Sequence, residues 1–96
     1  GDNKMTATPS GAFPDRDTFT SPASAHLGQG RRTAKGEWMA VDNYGRPVAT
    51  IWSPYLGHPH TFRCDPLPHA RYVDAVEADD FSVVLDYALS NFSPAQ

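Results

Sequence analysis

The change in composition at Gly36 is the feature that most limits what this chain can fold into. Residues 1–30 are rich in Pro, Gly, Ser, Thr and Ala, and their few large apolar residues follow neither a helical nor a strand period. A segment of this composition buries too little apolar surface to offset the entropy lost on ordering it. We therefore expect residues 1–33 to form a flexible or loosely draped arm and residues 34–93 to form one small domain.

A domain of about 60 residues can build only a small core, because it buries about 60% of the surface that its unfolded chain exposes. The chain has one cysteine and so cannot close an internal disulfide. This favours a reducing compartment. No run of apolar residues is long enough to span a membrane, and the first residues lack the pattern of a signal peptide. These observations predict a soluble, cytoplasmic protein.

A β-hairpin is predicted over residues 37–52. Two runs rich in strand-forming residues, 37–41 and 47–52, are joined by Asp42-Asn43-Tyr44-Gly45-Arg46, which suits a type I turn followed by a left-handed residue. If Asp42 lies opposite Arg46, one face carries Trp38, Ala40, Val48, Thr50 and Trp52, and the other carries Met39, Val41, Ala49 and Ile51. Since both faces are apolar, we expect the second one to be covered by the arm, by the proline-rich loop or by another molecule.

An amphipathic helix is predicted at the C-terminal end. Asp79 or Asp80 can cap its first turn, and Pro94 ends it. Its apolar stripe consists of Phe81, Val84, Leu85, Ala88, Leu89 and Phe92. The predicted core contains this stripe together with Trp38 or Met39, Val41, Val48, Ile51, Trp52, Val73 and Val76.

The segment between hairpin and helix contains prolines at 59, 66 and 68, which exclude a helix and disfavour a central strand. We expect a long loop there, with a short edge strand over residues 60–64. Residues 71–76 alternate as a third strand would, and a helix is the competing interpretation. The predicted fold is therefore α+β: a small antiparallel sheet, consisting of the hairpin and one or two further strands, packed on a single C-terminal helix.

Four potential metal ligands, His58, His60, Cys64 and His69, fall within twelve residues of this loop. Imidazole and thiolate are ligands that Zn²⁺ prefers, and a His-x-His pair on extended backbone directs both rings to one face. The spacing does not match that of common zinc fingers, however, and ordinary loop histidines with a buried or semi-exposed thiol explain the residues better. A Cys-His nucleophile is a further reading that sequence proximity alone does not support.

Charge is distributed unevenly along the chain. Residues 1–36 carry five basic and three acidic side chains, whereas residues 37–96 carry three basic and eight acidic ones. An acidic folded part repels phosphate, which counts against nucleic-acid binding. The residues available for that function are Arg31, Arg32, Lys35 and Arg46.

The leading hypothesis is a non-enzymatic interaction or accessory domain that binds a protein partner, with a homodimer through the second sheet face as one form of it. Its candidate binding residues are Trp52, Tyr55 and Leu56, because aromatic side chains supply contact area at low entropic cost. A small zinc-binding domain that uses the His/Cys cluster is the alternative. Nucleic-acid binding is the third hypothesis, and neither it nor the leading one requires a cofactor.

Overall fold

A six-stranded antiparallel sheet and one helix make up the fold in the computed structural model, which describes residues 13–55, 61–67 and 75–92. The elements are β1 (Thr18–Phe19), β2 (Gly28–Ala34), β3 (Glu37–Asp42), β4 (Pro47–Trp52), β5 (Phe62–Pro66), β6 (Val76–Ala78) and α1 (Phe81–Asn91). Each strand pairs with the next one along the chain. The predicted α+β architecture is confirmed, with more strands than the hairpin and one or two others. Within the described ranges, no helix has the length and apolarity that crossing a membrane requires.

The predicted hairpin is confirmed as β3 and β4, and its turn has the expected chemistry. Gly45 adopts a φ of 80°, a left-handed conformation that costs glycine little. The Asp42 carboxylate accepts hydrogen bonds from the backbone amides of Tyr44 and Arg46, both at 2.9 Å. Burial alone would raise the pKa of Asp42, but these amides and the Arg46 guanidinium outweigh it and hold the pKa below its ordinary value.

A β-bulge in this hairpin overturns the predicted assignment of its faces. Val41 pairs with Pro47, but Ala40 pairs with Ala49, which leaves Val48 as an additional residue in β4. Because side chains alternate with a period of two, one extra residue moves every later side chain of the strand to the other face. The faces predicted for β4 are therefore wrong beyond the bulge.

The core lies between α1 and one face of the sheet. The predicted helical stripe is confirmed: every member is buried, and the Asp80 side chain caps the first turn by accepting from the Ser82 amide at 3.0 Å. The buried side chains that the sheet contributes are Trp38, Ala40, Val48, Ala49, Ile51, Phe62 and Cys64. Trp52 was predicted to join them but is 41% exposed, because the bulge turns it away from α1. Val73 lies outside the described residues.

Phe81, the first residue of α1, is the centre of an aromatic cluster. Its ring packs edge-on against Trp38, Phe19, Phe62 and Phe13, with ring centroids 4.9, 5.7, 5.9 and 6.0 Å away, respectively. Edge-to-face contacts at these distances add to the stabilisation from burial. The helix start is thereby fixed to both halves of the sheet.

The strands β1 and β2 lie almost entirely within residues 1–33, the range expected from composition to form a flexible or loosely draped arm. The strand β2 carries few apolar side chains, yet it pairs with both β1 and β3. Gly28 and Gly30 make this possible, because a Cβ at Gly28 would lie 2.0 Å from the carbonyl oxygen of Val41. Sequence hydrophobicity did not predict this strand, because its position depends on backbone pairing and on the close approach of β2 to β3. Side-chain burial contributes less to it. Residues 1–12 lie outside the described part of the chain.

The strand β5 also differs from its prediction. An edge strand was expected over residues 60–64, but β5 pairs with β4 on one side and with β6 on the other. Pro66 is the last residue of β5, so its missing amide does not interrupt the middle of the ladder. Of the strand predicted over residues 71–76, the part up to residue 74 lies outside the described residues, and Val76 begins β6.

Candidate functional site

The open face of the sheet, defined here as the face opposite α1, carries the candidate site. The strand register aligns its side chains in two rows that run across the strands. The first row is Thr18, Arg31, Met39, Thr50 and Asp65. The second row is Glu37, Trp52, Arg63 and Glu77. The expectation that this second face would be apolar is wrong, because the bulge places Ala49 and Ile51 in the core.

Hydrogen bonds connect five residues of this face into what we call the open-face cluster: Trp52, Tyr55, Arg63, Asp65 and Glu77. The Trp52 indole Nε1 donates to Asp65 Oδ2 at 2.6 Å, and Arg63 Nε donates to Asp65 Oδ1 at 2.9 Å. Arg63 Nη1 also donates to Glu77 Oε2 at 3.2 Å, and the Tyr55 hydroxyl donates to Glu77 Oε1 at 2.8 Å. Each aromatic side chain is thus oriented by a carboxylate that Arg63 also contacts.

The electrostatics of the cluster follow from these contacts. The hydrogen bond and charge of Asp65 raise the pKa of Arg63, and Glu77 adds to the effect. The hydrogen bond to Glu77 raises the pKa of the Tyr55 phenol, and burial and the Glu77 charge act in the same direction. Arg63 therefore remains charged and Tyr55 remains a hydrogen-bond donor at neutral pH.

The two aromatic residues of the cluster are accessible to a partner. Trp52 is 41% exposed and Tyr55 is 47% exposed. Their polar atoms already have acceptors, so the surface they offer is mainly apolar ring area with little freedom to reorient. Both belong to the binding set predicted from the sequence, and the third member, Leu56, lies outside the described residues.

The structure places Cys64 in the core rather than at the surface. Its side chain is fully buried on the α1 side of β5. Burial raises the pKa of the thiol to about 11, so the thiolate that zinc binding or nucleophilic attack requires is disfavoured. Of the other predicted ligands, His58, His60 and His69 lie outside the described residues. No group of three or more His, Cys, Asp or Glu within the described ranges could hold a metal ion.

The basic residues proposed for nucleic-acid contact do not form one patch. Lys35 is exposed in the turn that joins β2 to β3, Arg31 lies in the middle of β2 opposite Met39, and Arg46 lies at the other end of β3 opposite Asp42. Met39 and Asp42 are about 10 Å apart along the strand. Two of the guanidinium groups are already paired, Arg32 with Asp17 and Arg46 with Asp42. The charge left for phosphate contact is correspondingly small.

Sequence reasoning missed three members of the cluster, Arg63, Asp65 and Glu77. The spacing Arg63-x-Asp65 signals one strand face once residues 62–66 are recognised as a strand. Glu77 has no comparable local signal, because the residues that it contacts, Tyr55 and Arg63, lie 22 and 14 positions earlier in the chain. Only the pairing of β5 with β6 reveals these contacts.

No protein-family model, curated protein or solved structure matches this chain. The functional argument therefore rests on the geometry and chemistry of the open face.

Proposed function

We propose that this chain is a non-enzymatic protein-binding domain and that the open face of its sheet is the binding surface. The observation that carries the proposal is the open-face cluster, in which exposed Trp52 and Tyr55 are held beside Arg63 by two carboxylates. Trp, Tyr and Arg are the residue types that dominate the energy of protein interfaces.

Rigidity supports this proposal further. A side chain that is ordered before binding loses less entropy in the complex, so pre-organised contacts give more affinity for the same area. The hydrogen bonds of Asp65 and Glu77 order the aromatic residues, and β5 is itself held by strands on both sides. The sheet thus presents these residues in a fixed arrangement.

The alternatives have less support from the described residues. The zinc hypothesis would use Cys64, whose thiol is buried against α1 with a raised pKa. The nucleic-acid hypothesis would use arginines that are separated along the sheet and partly paired with aspartates. A protein-binding face remains the function that the geometry supports best.

Site-specific photo-crosslinking tests this function. A photo-reactive benzoylphenylalanine in place of Glu37 would lie beside Trp52 on the open face, because these two residues are register partners. We expect a discrete, saturable protein adduct. Trp52→Ala should weaken its formation by about tenfold or more, the effect of removing an interface hot spot.

Two matched controls make the test specific. Tyr44→Ala removes an aromatic residue that is 84% exposed at the hairpin turn and should leave the adduct unchanged. The same photo-reactive group in place of Val83, which is 49% exposed on α1, should give no such adduct. Equal adducts from both positions, or none at residue 37, would contradict a binding role for the open face.

A further inference from the structure

We infer that the partner of the open face is a second copy of this chain, packed face to face as a two-fold symmetric dimer. This inference rests on the function proposed above and names its partner. It comes from the charge pattern of the first row of the open face, in which Arg31 and Asp65 lie at equal distances from the midpoint between β3 and β4.

The register defines this pattern. Along the row, Arg31 lies on β2, Met39 on β3, Thr50 on β4 and Asp65 on β5. Met39 and Thr50 form an uncharged central pair. Arg31 lies one strand beyond Met39, and Asp65 lies one strand beyond Thr50. Arg31 is exposed and makes no ion pair with any described residue, so its charge is available to a partner.

The two-fold axis of the proposed dimer runs parallel to the strands, midway between the two sheets, and passes over the gap between β3 and β4. Rotation about this axis makes the row complementary to itself. It places Arg31 of each copy over Asp65 of the other, and Met39 over Thr50. Packed sheets are about 10 Å apart, a distance that an arginine and an aspartate can span together. Because the interface is isologous, the arrangement forms the Arg31–Asp65 contact twice.

The charges beyond this row agree with the same axis. The β5–β6 side of the face carries Arg63 with Asp65 and Glu77 and has a net charge of −1, while β2 contributes Arg31 with +1. The second row brings Glu37 over Trp52 of the other copy, where the methylene groups of Glu37 can cover the exposed ring. Opposite halves of two identical faces therefore attract each other.

The size of the sheet sets the expected strength of the dimer. The strands have two, seven, six, six, five and three residues. At about 3.4 Å per residue and about 4.8 Å between strands, they give a face of roughly 500 Å² in plan. This is below the roughly 800 Å² per partner of a standard stable interface. We expect a weak dimer that dissociates on dilution in the micromolar range.

Charge reversal with sedimentation equilibrium tests the inference. The wild-type chain should pass from monomer to dimer between about 10 µM and about 1 mM. Arg31→Glu should raise the dissociation constant by about tenfold or more, because it places like charges opposite each other twice. Adding Asp65→Arg to Arg31→Glu should restore part of the dimerisation, because it returns the opposite charges but removes the contacts of Asp65 with Trp52 and Arg63. Arg46→Glu, the same charge change at the hairpin turn, should have little effect.

Thr50→Arg provides a second route if the double variant does not fold, since it places a bulky charge beside the proposed axis and should abolish the dimer. A wild-type chain that remains monomeric throughout, or dimerisation insensitive to both Arg31→Glu and Thr50→Arg, would overturn the inference. The crosslinking experiment separates this failure from that of the proposed function. An adduct between two copies supports both, an adduct with another protein retains only the binding function, and no adduct contradicts both.

Discussion

Replacement of Phe81 by alanine is expected to lower the free energy of unfolding by about 3 to 5 kcal/mol, the range for removing a large buried aromatic side chain. The ring is fully buried and contacts four other aromatic rings. Its loss leaves a cavity at the junction of α1 and the sheet. Since small domains have total stabilities of only about 5 to 15 kcal/mol, urea unfolding should show a large part of the stability gone.

Val83→Ala, in the same helix, is the matched control for this experiment. Val83 is 49% exposed, so its truncation should change stability by no more than about 0.5 kcal/mol. A loss below about 1 kcal/mol for Phe81→Ala would mean that the aromatic cluster does not organise the core.

Gly28→Ala is expected to destabilise the chain by about 1 to 3 kcal/mol or more, as overpacking of a tightly packed site does. The added Cβ would lie 2.0 Å from the carbonyl oxygen of Val41 and 2.9 Å from the Cα of Asp42. Both contacts are with backbone atoms of β3, so the two strands must separate to accommodate the methyl group. Thermal unfolding of the variant and the wild type measures the difference.

Gly30→Ala gives a graded comparison in the same strand. Its Cβ would meet a carbon of the Trp38 ring at 3.3 Å, which a small adjustment can relieve, so the loss should be smaller than for Gly28→Ala. Full stability of Gly28→Ala would show that β2 does not pair closely with β3 and would restore the loose arm expected from composition.

The helix and the hairpin turn could be predicted because local sequence determines both. The apolar period of α1 and the aspartate and glycine of the turn act within a few residues of each other. The bulge at Val48 has no comparable local signal, and it decides which face Trp52 occupies. This single β-bulge thus explains why Trp52 was predicted in the core but is observed at the surface.

For a related reason, composition could not predict that β2 belongs to the sheet. Composition reports how much apolar surface a segment can bury, but it does not report backbone pairing with strands on both sides. Of the candidate site, Trp52 and Tyr55 were predicted from their residue types. Arg63, Asp65 and Glu77 were not, because their contacts depend on the register of distant strands.

A dilution series of two-dimensional ¹H–¹⁵N NMR spectra tests most directly whether the open face binds a second copy of the chain. Between about 1 mM and about 20 µM, the Trp52 indole resonance and the amides of Arg31 and Asp65 should shift together along one binding curve. The indole of Trp38, which is buried on the α1 side, should remain constant. Constant open-face resonances over this range, or shifts confined to the outer surface of α1 around Val83, would contradict the account.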